Sequence, residues 1–267
     1  SDIAAVLGFG LLSTVVFYVC KYFNIKPPGS FFFIMIASMA LGNKFTLDIV
    51  PAKIGLFTLG AINACLLALL YSLLFLPKNT KSKISTSFKI NPYTNIFESI
   101  IIGFFMLLSV LIGKVFQLDY PYWIPISCLA VLQGVNQYHI WKRGLHRIIG
   151  TLIGLILVWL IFSFIQNLFW LCLCIIILQI LVELFIARHY ALTVIFLTPL
   201  GVLLAETGSK ITSDPNHLVE MRLLEVLIGS ALGVLGGWFL YNERMRYINR
   251  KYATQSKKVM KKSLNNK

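Results

Sequence analysis

Residues 139–157, HIWKRGLHRIIGTLIGLIL, set three cations and two histidines directly against a run of isoleucine, leucine and glycine. After Arg147 no charged residue follows from Ile148 to Val182. A helix needs about 20 apolar residues to cross a bilayer, so this run holds two crossings, with Gln166-Asn167 as the turn between them. Further uncharged runs extend from Ile54 to Pro77 and from Tyr120 to Tyr138. The cations of the opening stretch therefore read as a short loop at the level of the lipid headgroups.

The whole chain carries the same bias. Of its 267 residues 58% are hydrophobic and 13% charged, with a mean hydropathy of +0.80. A soluble domain has about 45–50% apolar and about 25% charged residues. The fold class expected is an all-α polytopic membrane protein. A net charge of +14 would suggest nucleic acid in a soluble protein, but here the cations punctuate apolar blocks and mark topology. The five cysteines lie within apolar segments, and Cys172-x-Cys174 has no nearby histidine. Neither they nor the four scattered histidines suit a metal, and no cofactor is expected. The opening SDIAAVLGFG lacks an initiating Met and a basic region before its apolar stretch, which argues against a signal peptide and for a start inside a longer protein.

About nine spans are predicted, over 3–20, 31–47, 54–76, 96–116, 122–138, 147–165, 168–187, 190–206 and 222–241. The second, hemmed by Pro27-Pro28-Gly29 and by Asn43, Lys44 and Asp48, is the weakest. Alternating crossings put nineteen of the 24 lysines and arginines on one face, nine of them in the tail after Tyr241. Such asymmetry marks the cytoplasmic side, so the C-terminus is expected there. The basic tail is expected to lie along the anionic leaflet rather than on nucleic acid.

A repeat shows in the helix starts. Arg147 precedes Gly154 by seven residues, as Arg222 precedes Gly229 and Lys53 precedes Gly60. Small residues four apart, Gly150/Gly154, Gly229/Gly233 and Gly60/Ala64, let membrane helices approach closely, so these helices are expected at the centre. Three spans per unit invert successive units, as in many secondary transporters. The expected organisation is 1–95 as the last three spans of a first unit plus a loop, 96–241 as a complete six-span unit, and 242–267 as the tail. A missing first triplet would make the parent about twelve spans long.

The segments YWIPISCLAVLQG (122–134), RGLHRIIGTLIGLIL (143–157), HYALTVIFLTPLGVLLAE (189–206) and MRLLEVLIGSALGVLGG (221–237) together resemble the FUSC family, of the fusaric-acid-resistance or aromatic-acid-exporter type. The Arg-x-x-Gly-Thr-x-x-Gly element at 147–154 is the most telling, and Glu225 stands where the family usually has an acidic residue. The likeness is good over 96–241 and looser over 1–76. It implies an inner-membrane protein exporting aromatic carboxylic acids or related organic anions, usually on the proton gradient. Plant aluminium-activated malate channels are distant relatives, so the resemblance also admits a passive anion channel.

An organic anion needs positive or hydrogen-bonding groups along its path, and ionisable residues inside spans are the natural candidates. Arg143, Arg147 and Thr151 share one helix face with Gly154, although snorkelling to phosphates would equally explain the arginines. Arg222, Tyr122 and Gln133 complete the expected substrate pathway. Glu183, met after the long uncharged run, is expected to couple protons on the premise that it is buried, with Glu225 beside it in that role. The expected partners are a small organic anion and the lipid bilayer, not nucleic acid, with assembly as a homo-oligomer left open. An enzyme is not expected, because the ten acidic residues are scattered and form no phosphate-handling cluster. A non-transporting membrane scaffold is the remaining alternative.

Overall fold

The computed structural model describes residues 2–23, 25, 29–42, 50–75, 92–134, 136–165, 167–186, 189–206 and 215–242. They form nine helices: α1 (Asp2–Tyr22), α2 (Ser30–Gly42), α3 (Val50–Phe75), α4 (Pro92–Val115), α5 (Trp123–Leu132), α6 (Gln137–Phe164), α7 (Leu168–Ile186), α8 (Tyr190–Glu206) and α9 (Pro215–Tyr241). Among the described residues there is no strand. Six helices (α1, α3, α4, α6, α7 and α9) are long and apolar enough to cross a membrane, while α2, α5 and α8 are shorter. The chain is a polytopic helical membrane protein. The cationic stretch 76–91, Arg188 and the tail from 243 lie outside the described residues.

The chain divides into two compact units, one of Ser1–Gly42 with Asn91–Lys267 and one of Asn43–Ile90. In the second, α3 is exposed from Pro51 to Phe75, and nothing within that unit packs against Gly55 or Gly60.

In the first unit α1 runs antiparallel to α4. Lys21 pairs with Glu98 at 3.0 Å, and Gly10 and Gly103 bring the two backbones together further along. Ser38 of α2 donates its hydroxyl to the Tyr122 carbonyl at 2.8 Å, at the end of the bundle opposite the Glu98 end. Ile34, Ile102, Met106, Ile124 and Leu129 are the centre of the apolar core shared by these helices.

The stretch expected as a loop is helical. Asn136, in extended backbone, accepts the His139 N–H at 2.8 Å and so starts α6 ten residues before Arg147. An oxygen-bearing cap there satisfies one of the orphan donors of the first turn. Gly144 does not break the helix, because its missing side chain makes room for Val234 of α9. Replacing Asn136 with alanine is expected to lower stability by about 1 kcal/mol, read as a downward shift in the thermal unfolding of the purified protein. An unshifted transition would mean that the cap contributes nothing.

Helix α5 has only 10 residues, all buried, about 15 Å of helix. Its flanking turns carry it further. The Tyr120 N–H donates to Glu225 of α9 and the Gly134 carbonyl accepts from Tyr241. The segment 120–134 thus covers the depth of α9 from residue 225 to 241, about 24 Å at 1.5 Å per residue. The expected crossing at 122–138 is present, but as a short helix with two turns.

The close approaches in this unit establish an inverted repeat. A Cβ on Gly150 or Gly154 of α6 would meet the carbonyl oxygens of Ala191 and Ile195 of α8, at 3.3 and 2.8 Å. On Gly229 or Gly233 of α9 it would meet those of Ile124 and Cys128 of α5. In each case two glycines four apart lie on two carbonyls four apart, and the paired helices run in the same direction. Thus α6 lies on α8 as α9 lies on α5, and α6 meets α9 antiparallel through Gly144 and Gly237. The third helix of each triplet packs on the second helix of the other. Pro199 inside α8 frees the Ile195 carbonyl from its helical N–H, and that carbonyl is the one lying against Gly154.

Candidate functional site

The packing fixes which residues of the two triplets are equivalent. If Gly150 and Gly154 match Gly229 and Gly233, then Arg143 matches Arg222, Thr151 matches Ser230, and Arg147 matches Val226. The sequence reading, which paired Arg147 with Arg222, is one helical turn out of register. Along α5 and α8 the same superposition matches Trp123 to Tyr190.

The equivalent residues make equivalent contacts. The Arg143 guanidinium lies over the Tyr190 ring at 4.9 Å from its centroid, and that of Arg222 lies over the Trp123 ring at 3.3 Å. Each pair joins the start of a second helix to the first turns of a third helix, at opposite ends of the bundle. A guanidinium over an aromatic face gains about 2 kcal/mol when desolvated, as at Arg222, which is buried, and less at Arg143, which is half-buried.

At the first end Arg143 also donates from Nη1 to the Ala130 carbonyl at 3.4 Å. Arg147 is more deeply placed, with 4% of its surface exposed, about 15 Å along a helix of about 42 Å. Its Nη2 donates to Ser127 Oγ at 3.4 Å, a long bond, and its Nε–H has no partner. Thr151, one turn on and 1% exposed, has an unbonded Oγ1, and the buried Tyr190 hydroxyl is likewise unbonded. Gln133 closes α5 at this end, half-buried, one turn beyond Ala130.

At the other end Arg222 and Glu225 are both buried, at 4% and 0% exposure. Glu225 Oε1 accepts the Tyr120 N–H at 3.0 Å. Tyr122 stands beside this pair as the residue before α5, its ring against Trp123 and Gly42. The expected pathway residues therefore form two groups: Arg143, Arg147, Thr151 and Gln133 at one end, Arg222, Glu225 and Tyr122 at the other.

Glu183 belongs to neither group. It lies on an exposed face of α7 and accepts a hydrogen bond from Gln179 Nε2 at 3.1 Å. The burial on which its proton-coupling role was expected is absent, because α7 turns only Leu171, Leu178 and Val182 inward. Among the described residues the buried carboxylate is Glu225. Trp123, Tyr190 and Ser127 are functional candidates outside the pathway that the sequence suggested. A signal for the first two was present: Arg-x6-Gly-x3-Gly occurs at 143–154 and again at 222–233, with both glycines matched.

Residues 108–236, which contain both groups, match the model of the fusaric acid resistance protein-like family. Over this segment, just under half of the chain, the sequence is similar to that family. An uncharacterized membrane protein, YvaC of Bacillus subtilis (strain 168), is 36% identical over 120 residues, which is 45% of this chain and 19% of that protein. The chain thus matches about a fifth of the length of this relative. No solved structure matches the chain. The fusaric acid resistance-like segment coincides with the interlocked triplets from within α4 to the end of the glycine run in α9.

Proposed function

We propose that the fusaric acid resistance-like unit carries organic anions, aromatic carboxylates among them, across a bacterial inner membrane. The observation that supports this best is the pair of equivalent arginine–aromatic contacts, Arg143–Tyr190 and Arg222–Trp123, one near each end of the bundle. Buried cations in a membrane protein cost several kcal/mol unless they are paired or line a path. Their placement at related positions of an inverted repeat gives each side of the membrane the same anion-attracting element, as alternating access requires. Tyr190 and Trp123 also offer faces on which an aromatic acid can stack. The proposed orientation puts the Glu98 end in the cytoplasm, since the cation-rich segments fall on that side, and export is the proposed direction.

The test is flux. Full-length chain in liposomes is loaded with labelled benzoate, hydroxybenzoate or malate, and efflux is timed with and without an imposed pH gradient. Efflux of an aromatic acid well above that of empty liposomes is expected. Rates equal to empty liposomes for every acid would remove the transport reading.

Glu225 is proposed to couple protons, because it is a carboxylate with no exposed surface inside a span, one turn from Arg222 on α9. Glu225→Gln, which keeps the acceptor for Tyr120, is expected to flatten the pH dependence of efflux. Glu183→Gln, on an exposed face, is expected to leave it intact. The reverse result would return the role to Glu183.

A further inference from the structure

We propose that Arg147 Nε, Thr151 Oγ1 and the Tyr190 hydroxyl form a binding site for one carboxylate group, at the junction of α5, α6 and α8. The inference deepens the transport reading and rests on it. Three polar atoms are buried there with no hydrogen-bond partner, on side chains that the packing brings together. Arg147 and Thr151 stand one turn apart on α6, with Gly150 between them, and Gly150 is the point where α8 makes its close approach at Ala191 and Val194. Tyr190 immediately precedes Ala191, and its ring lies against α6 beside His146, the neighbour of Arg147, at 6.5 Å between ring centroids, and under Arg143.

The repeat supplies an internal control. At the position equivalent to Arg147, α9 carries Val226, which is 2% exposed and packs without difficulty. The helix-on-helix contact therefore does not need an arginine at this level. Burying a guanidinium with one long hydrogen bond costs several kcal/mol without a compensating charge, so the arginine at this position serves something other than packing. A guanidinium edge with Nε–H open is the shape that takes a carboxylate through two parallel bonds. The two hydroxyls supply further donors to the same oxygens. A single anionic group would neutralise Arg147, whose hydrogen-bond partner Ser127 carries no charge. Acetate and benzoate share this chemistry. They differ in whether a ring is present to stack.

The test uses the purified full chain in nanodiscs, with binding of sodium acetate and sodium benzoate read by calorimetry at constant ionic strength and sodium chloride as the competing probe. Saturable binding of a carboxylate, not displaced by equimolar chloride, is expected. Tyr190→Phe keeps the ring under Arg143 and Thr151→Val keeps the volume, and each is expected to weaken binding about tenfold. Arg147→Val copies the counterpart on α9 and is expected to abolish binding while the helix content persists. Should Arg147→Val fail to fold, the two isosteric variants still decide the matter. Chloride binding equal to that of carboxylates, or unchanged affinity in both isosteric variants, would overturn the site. Flux in liposomes separates the two readings: carboxylate binding without efflux leaves the site and removes transport, whereas efflux indifferent to all three variants leaves transport and removes the site.

Discussion

Gly154→Val and Gly233→Val are expected to prevent recovery of a folded protein. The first added carbon would lie 2.8 Å from the Ile195 carbonyl in one case and 2.7 Å from the Cys128 carbonyl in the other. Neither obstacle is the tip of a flexible side chain, so relief requires whole helices to separate. Overpacking a core by a few carbons costs about 1–3 kcal/mol when side chains can move aside, and here the backbone is the obstacle. Gly8→Ala provides the contrast, since nothing lies within 4 Å of a Cβ at that position of α1. Alanine there gains about 1 kcal/mol of helix propensity. The readout is the monodisperse fraction after detergent extraction, with thermal unfolding of what is recovered. Equal recovery of Gly154→Val and Gly8→Ala would show that α6 and α8 do not meet as described.

Arg143→Gln and Arg222→Gln are expected to reduce efflux by similar factors, because the two arginines hold equivalent positions. Loss of a desolvated cation–aromatic contact of about 2 kcal/mol corresponds to roughly thirtyfold, at about 1.4 kcal/mol per factor of ten. Membrane insertion should persist in both, since glutamine is cheaper to bury than a guanidinium. A loss confined to Arg143 would make the Arg222 contact structural and would leave the membrane with a single attracting end.

The helices were legible in the sequence because lipid-facing and core-facing positions are both apolar, so whole blocks stand out between polar punctuation. The same uniformity hid which face of a block turns inward. Glu183 follows an uncharged run and looked buried, yet α7 turns it outward with Gln179. Trp123 and Tyr190 sit at helix starts, where aromatic belts are common, and only the packing shows that both carry arginines on their faces. The shortness of α5 was masked by its flanks, for Tyr120-Pro121-Tyr122 and Gln133-Gly134 belong to the same uncharged stretch. The glycine pairs were read correctly as contact faces on α6 and α9. Their register was not, because Arg147 and Arg222 each precede a glycine by seven residues, a match that competes with the one from Arg143 until the carbonyls opposite decide between them.

The crossed pairing of α6 with α8 and of α9 with α5 has a consequence for biogenesis. A ribosome delivers roughly 5–20 residues each second, so α5 waits in the nascent chain, buried by nothing on one flank, until the last helix of the unit is synthesised. Neither triplet can mature before the other arrives, and a polypeptide severed at the Phe164–Leu168 turn should yield fragments that are stable only when co-expressed. Insertion into the bilayer and final assembly are thereby separated in time, and the interval is one in which quality-control proteases can act on an incomplete chain.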